Sequence, residues 1–169
     1  MISPNDGVGV GDRQFYFTND HAERPGTVRS LKDLATIGTG NVGYFDGEKT
    51  VITSVEGIKY ANGINVSKDG SEVYLAATTD RKVYVFNRDK SSGALTLARE
   101  IETGTGVDNI DIDENGNLWV GCHPQLLKFL SHAKDESKIS PSEVIKLTRQ
   151  PNGSFAQTTV YMNDGSELS

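Results

Sequence analysis

One pattern occurs three times in this chain and limits what it can fold into. Asn, Asp and Gly residues open an alternating apolar strand, a short glycine turn follows, and a second apolar strand leaves the turn. The first copy reads Asn5-Asp6-Gly7-Val8-Gly9-Val10, turns at Gly11-Asp12-Arg13, and runs through Gln14–Thr18 to Asn19-Asp20-His21. The second reads Ala61-Asn62-Gly63-Ile64-Asn65-Val66, turns at Lys68-Asp69-Gly70, and runs through Glu72–Ala76 to Thr78-Thr79-Asp80. The third runs from Val107 to His123, VDNIDIDENGNLWVGCH, with its turn at Asn115-Gly116. Asp-Gly and Asn-Gly favour the positive φ angles of tight hairpin turns. The anchors Asp6, Asn62 and Asp108 lie 56 and 46 positions apart. A period of that size, built on paired strands, reads as the blades of a β-propeller.

The remaining apolar runs complete each blade. They are Gly40–Phe45 and Lys49–Val55 in the first, Lys82–Asn87 and Leu95–Ile101 in the second, and Leu126–Leu130 and Glu143–Leu147 in the third. A last strand, Phe155–Met162, begins a fourth blade. Val28–Ala35 is the least strand-like stretch, with room for one helical turn or two. The fold class is all-β, an incomplete propeller of about three blades plus a partial blade, and residues 1–169 read as a single domain. Propellers close with about four to eight blades, so the pattern describes part of a larger ring.

Composition narrows the function. The net charge is −6, from 17 basic and 23 acidic residues, which argues against a nucleic-acid partner. No apolar run approaches the roughly 18 residues of a membrane helix. Met1-Ile2-Ser3-Pro4 has neither the basic start nor the apolar stretch of a signal peptide. Cys122 is the only cysteine, so no internal disulfide forms. Cys122 and His123 are neighbours in a strand, point to opposite faces and cannot make a nucleophile–base pair.

In a propeller the innermost strands line a central channel, and their corresponding ends converge on its axis. Asn5, Asp6, Asn62, Asp108 and Asn109 stand at such ends. Carboxylates and amide carbonyls are hard oxygen donors that suit calcium. The same residue types also cap strand starts and turns, and for one pair alone that reading would serve as well. Asn65-Val66-Ser67 and Asn152-Gly153-Ser154 match the glycosylation sequon. Asn65 falls inside an inner strand, which leaves Asn152 as the candidate.

The blocks PNDGVGVG…FYFTNDH, YANGINVSKDG…VYLA and VDNIDID…LWVGCHP resemble the paraoxonase/arylesterase family. The resemblance implies a six-bladed propeller with two channel calcium ions that hydrolyses aryl esters and lactones. It implies that Asn5, Asn62, Asp108 and Asn109 hold the catalytic calcium and that Asp6 holds the deeper, structural one. It implies that His123 lines the active site and that Asp20 and His21 have an accessory role. The family's acidic ligand pair and catalytic histidine pair have no counterpart among these residues. The ligand sets are therefore partial, and the expected chain is a C-terminal half, truncated at both ends, with weak activity or none. Small esters or lactones are the expected substrates, and self-association through open blade edges is expected. No compartment is legible from the residues themselves, although the resemblance implies secretion. A non-catalytic propeller fragment is the alternative, as is another six-bladed propeller of gluconolactonase-like or strictosidine-synthase-like type.

Overall fold

A computed structural model describes residues 3–21, 26 and 38–167. Val28–Ala35 lies outside the described residues. Among the described residues, twelve strands form three four-stranded antiparallel sheets. The first blade holds β1 (Pro4–Gly11), β2 (Gln14–Asn19), β3 (Gly40–Phe45) and β4 (Thr50–Ile58). The second holds β5 (Ala61–Val66), β6 (Glu72–Ala77), β7 (Lys82–Arg88) and β8 (Leu95–Glu102). The third holds β9 (Gly106–Ile112), β10 (Leu118–His123), β11 (Ser142–Arg149) and β12 (Phe155–Asn163). Each sheet pairs its strands in chain order. β1, β5 and β9 pack side by side, so they are the inner strands of an open fan. The sheets do not close on one another, which makes this an incomplete propeller.

The third blade corrects the sequence reading twice. Leu126–His132 is a short helix, α1, and not a strand. It buries none of its residues, and Leu127 and Leu130 are exposed. The third-strand place goes to Ser142–Arg149, whose alternation buries Glu143, Ile145 and Leu147 on one face. Phe155–Asn163 then pairs with β11 as the fourth strand. The strand assigned to a partial fourth blade therefore completes the third. Residues directly opposite on paired strands share a face, so the sheet with the stronger alternation wins the position.

Two apolar seams hold the fan together. Tyr16, Val42 and Tyr44 of the first blade meet Val73, Leu75 and Phe86 of the second. Tyr74, Ala76, Val83 and Val85 of the second meet Leu118, Val120, Ile145 and Leu147 of the third. Each seam is latched by a tyrosine at the third position of a second strand. The Tyr16 hydroxyl donates to the Gly93 carbonyl at 2.8 Å and accepts from Arg88 Nε at 3.2 Å. The Tyr74 hydroxyl donates to Glu72 Oε2 at 2.8 Å and accepts from Arg149 Nη2 at 3.1 Å. Arg88 and Arg149 each end the third strand of the following blade. Buried hydroxyls need partners, and the latch supplies them across the seam.

The first turns of the second and third blades are each built on a carboxylate and on the backbone freedom of a glycine. Gly70 and Gly116 adopt positive φ, 73° and 77°. The Asp69 carboxylate accepts from Ser71 N, Ser71 Oγ and Ser67 Oγ. The Asp113 carboxylate accepts from Asn115 N, Asn117 N and the Trp119 indole. These bonds hold the Asp69 carboxyl down at about 2, through its serine partners first. They hold Asp113 well below the usual carboxylate range, through Asn117 first.

Candidate functional site

Each inner strand carries a bulge at the same place. Pro4 pairs with Asn19 and Gly7 with Phe17, so Asn5 and Asp6 oppose Thr18 alone. Ala61 pairs with Ala77 and Ile64 with Leu75, so Asn62 and Gly63 oppose Ala76 alone. Val107 pairs with Cys122 and Ile110 with Val120, so Asp108 and Asn109 oppose Gly121 alone. A bulge releases two residues from the ladder and re-aims their side chains. All five candidate metal ligands are bulge residues. The register makes Asn5, not Asp6, the equivalent of Asn62 and Asp108. Asp6 is the equivalent of Gly63 and Asn109, which corrects the spacing used in the sequence alignment by one residue.

The bulges are tied together along the inner rim. Asp6 Oδ2 accepts from the Ile64 amide at 2.9 Å, and Oδ1 accepts from the Gly7 amide at 2.7 Å. The amide of Asp6, freed from the ladder, donates to Thr18 Oγ1 at 3.0 Å. Asn65 Nδ2 donates to the Ile110 carbonyl at 2.9 Å. Between these ties the second and third bulges nearly touch. A Cβ on Gly63 would sit 2.4 Å from the Asp108 carbonyl oxygen and 2.7 Å from Asn109 Cα. Glycine is what lets the second bulge lie against the third.

The first bulge residue reaches the end of the second strand in blades two and three. Asn62, which is buried, donates from Nδ2 to Thr78 Oγ1 at 3.1 Å. Asp108, half-buried, holds His123 Nε2 to its Oδ2 at 2.8 Å. Thr78 and His123 follow the paired positions Ala77 and Cys122, and Asp20 follows Asn19 in the first blade. Asp20, Thr78 and His123 are therefore equivalent. The His123 ring also stacks on Phe129 of α1, with centroids 3.7 Å apart and planes at 21°. His21 is buried beside Asp20, with Nδ1 3.1 Å from Asp20 Oδ1, and meets the Tyr60 ring edge-on at 5.4 Å.

The structure thus joins Asp108 to His123, Asp20 to His21, and Asp6 to the second blade. Asn5 and Asn109 are exposed on the outer bulges. The Asn62 Nδ2–Thr78 bond leaves its carbonyl oxygen as the atom for a cation, and His123 leaves Asp108 Oδ1. Among the described residues no three His, Cys, Asp or Glu side chains group as a metal site. The present set is mostly amide oxygen, a donor type that fits a hard cation such as calcium and not zinc. Sequence reasoning missed Thr18, Thr78 and Phe129. Only the paired register reveals the first two, and only α1 brings in the third.

Cys122 lies apart from this chemistry. Its side chain is buried in the second seam, on the face opposite His123. Burial first, then the Glu143 carboxylate, pushes the thiol up to about 12. A thiolate is the reactive form, so Cys122 is a packing residue. Asn152 is exposed in the β11–β12 turn, with its Oδ1 accepting from Ser154 Oγ at 2.7 Å. Asn65 is committed to Ile110.

The fold recurs in solved proteins of low identity. A luciferin-regenerating enzyme superposes with a TM-score of 0.62 at 18% identity, over 95% of this chain and 46% of its own. Regucalcin from Agrobacterium tumefaciens, described as a calcium-binding protein, gives 0.59 at 16%, over 91% and 44%. Curated relatives are closer in sequence. Serum paraoxonase/arylesterase 2 of Rattus norvegicus is 35% identical over 169 residues, covering 99% of this chain and 47% of that protein. Serum paraoxonase/arylesterase 1 of Homo sapiens is 35% identical, covering 97% and 45%. The chain spans about half the length of these relatives. The arylesterase family model matches residues 1–169 without a break, and the chain belongs to the arylesterase family.

Proposed function

We propose that the three bulges form the calcium-holding part of an ester- and lactone-hydrolysing site. The observation that supports this most is their equivalence. Three inner strands each release a doublet at the same register, and those doublets contain Asn5, Asp6, Asn62, Asp108 and Asn109. A calcium ion bound there would act as a Lewis acid toward the substrate carbonyl and the oxyanion that develops from it. Asn62 is fixed by Thr78, so its carbonyl is presented without a rotamer search. Asp108 supplies the one negative charge among Asn5, Asn62, Asp108 and Asn109. His123, held by Asp108 and stacked on Phe129, is positioned to contact substrate or leaving group. Asp20, at the position equivalent to His123, and its neighbour His21 form the accessory pair. Asp6 has both oxygens engaged by amides, which suits a role in holding the first two blades at a fixed distance around a deeper ion.

The relatives' names carry the activity class of the whole protein, arylesterase. For these 169 residues alone the reading is a weak calcium site and little or no turnover. Affinity follows ligand charge and rigidity, and weak modules bind at roughly 10⁻⁴–10⁻³ M. Secretion of the whole protein, glycosylation at Asn152 and a single domain over residues 1–169 belong to the same proposal. So does self-association through the open first and third blades. The test is calorimetric calcium titration of the chain, followed by hydrolysis of phenyl acetate and a δ-lactone with calcium and with EDTA. Saturable binding lost in Asp108→Ala supports the reading. No binding at 10 mM (about tenfold above the weak end of that range) removes it. Robust turnover abolished by EDTA would mean that the residues present suffice, with His21 and His123 as first candidates for the base.

A further inference from the structure

We propose that Tyr60 and Arg81 are positioning residues for Asn62 and act on it through Thr78. This rests on the reading above that Asn62 offers its carbonyl to an ion, and it concerns how that carbonyl is aimed.

The backbone singles these two residues out. Among the described residues, Tyr60 and Arg81 are the non-glycine residues with positive φ, at 63° and 56°. On such a backbone the Cβ crowds the following carbonyl oxygen. A large side chain accepts that only where its surroundings over-determine the conformation, which happens most often beside functional groups. The connection from the second blade to the third uses a glycine, Gly104, for its positive φ of 71°. A turn alone would be served by glycine at positions 60 and 81 as well.

Both residues close on Thr78. The Thr78 amide donates to the Tyr60 carbonyl at 3.1 Å, and the Arg81 amide donates to the Thr78 carbonyl at 3.3 Å. Thr78 is thus held on both sides of its Cα, which fixes where its hydroxyl meets Asn62 Nδ2, at 3.1 Å. Each grip is itself anchored. The Asp80 carboxylate accepts from the Lys59 amide and from the Tyr84 hydroxyl, both at 3.2 Å. The Lys59 carbonyl accepts from the Thr79 amide at 3.2 Å. The Arg81 carbonyl accepts from the Thr103 amide at 3.0 Å and from the Thr103 hydroxyl at 2.7 Å. The clamp therefore joins the end of β4, the β6–β7 turn and the approach to β9.

The third blade shows why the second needs such a clamp. Its equivalent residue, His123, has a ring large enough to stack on Phe129 and to be held by Asp108. Thr78 has only a methyl and a hydroxyl, and is held by its backbone instead. The same left-handed backbone also sets the Tyr60 ring edge-on against His21. One residue thus serves Asn62 through its carbonyl and the accessory pair through its ring.

Nuclear magnetic resonance of the Asn62 side-chain amide in the full chain, beside calcium titration, tests this. Tyr60→Val and Arg81→Val each put a β-branched residue where φ is positive and should loosen the clamp. The Asn62 amide should then lose its protection from solvent exchange. Calcium affinity should fall by about 10–100-fold, the range for groups that orient a metal ligand. Tyr60→Gly and Arg81→Gly keep the left-handed backbone and should keep both readings. In a Thr78→Val background the hydroxyl is already gone, so Tyr60→Val should change neither reading further. Asp80→Ala frees the Lys59 amide and repeats the test if Tyr60→Val loses its far-ultraviolet circular dichroism. Valine variants with an unchanged amide and affinity overturn the proposal. So does an equal loss from the valine and glycine variants, which would assign the effect to the side chains. A further loss in the Thr78→Val background overturns the route through Thr78. A wild-type chain that binds no calcium removes the function proposed above, and the amide signals alone then decide whether the clamp holds Asn62.

Discussion

The second and third blades are built on one frame and differ in what they present. Each has the same bulge, the same carboxylate-held turn and the same side-chain bond from bulge to strand end. In the second blade that bond joins Asn62 to Thr78, and in the third it joins Asp108 to His123. The second bulge residue is Gly63 in one and Asn109 in the other. The third blade also inserts α1 between its second and third strands, and Phe129 covers His123. The comparison separates architecture from chemistry. The bulge provides position, and the residue placed there decides whether the position offers a neutral amide or a carboxylate–imidazole pair.

The most damaging way to break the comparison is Gly63→Val. The first added carbon alone meets backbone atoms at 2.4 and 2.7 Å, and backbone cannot rotate away as a side chain can. Overpacking of this kind costs about 1–3 kcal/mol or more. Thermal unfolding should fall accordingly, and calcium binding should disappear even in folded protein, because the third bulge is displaced from the second. Retained binding with unchanged stability would show that the two bulges are not mechanically coupled.

Next comes the charge difference. Asp108→Ala should weaken calcium binding at least about tenfold, since affinity scales with ligand charge, and Asn62→Ala should weaken it less. Asn62→Asp should strengthen it by giving the second blade the third blade's charge. Isothermal titration reads all three. Equal losses from Asp108→Ala and Asn62→Ala would show that the carboxylate adds nothing beyond a neutral amide, and no loss from either would place the ion elsewhere.

Much of the frame was legible in the sequence, because its signals are local. Alternation in Val8–Val10, Ile64–Val66 and Ile110–Ile112 marked the inner strands, and Lys68-Asp69-Gly70 and Asn115-Gly116 marked the turns. The bulges were not legible. One extra residue in a strand becomes visible only against its partner, so Asp6 looked equivalent to Asn62 when Asn5 is. Leu126–Leu130 misled for a related reason. Five residues with four apolar members fit a buried strand or a short helix equally. The arbiter was the better alternation of Ser142–Arg149, sixteen residues downstream. The Tyr16–Arg88 and Tyr74–Arg149 latches join residues 72 and 75 positions apart, a distance over which sequence alone carries no signal.

A smaller effect separates the two turns. Asp69 and Asp113 both have folded values below the ordinary carboxylate value near 3.9. A carboxyl lowered on folding stabilises the protein above its unfolded value, and that contribution drains away as pH falls toward the folded one. Stability should therefore decline from about pH 4 toward about pH 2, and the decline should be shallower in Asp69→Ala and in Asp113→Ala. Asp113→Ala should lower the melting temperature more at neutral pH. It removes the indole and Asn117 contacts and the 3.5 Å pairing with Lys146 as well. Equal melting temperatures would mean that these extra contacts contribute nothing measurable.

The smallest effect belongs to the pair Ala77 and Cys122, which occupy the same place in the second and third blades. Ala77 is fully buried, so the second blade packs a methyl group at that place. Cys122 adds one sulfur in the second seam. Replacing it with alanine removes that atom's packing and a weak contact from Sγ to the Val120 carbonyl at 3.5 Å. By the scale of single-atom core truncations the cost is about 1 kcal/mol. Calcium binding should be unchanged, because Cys122 points away from His123 and into the seam. The native thiol should also resist alkylation at pH 8, since burial holds it at about 12, and should react at once in denaturant. Fast alkylation of the folded chain would mean that the second seam opens. His123 and Asp108 would then sit on a blade that moves relative to Asn62, and the carboxylate–imidazole pair could not act on an ion held by both blades.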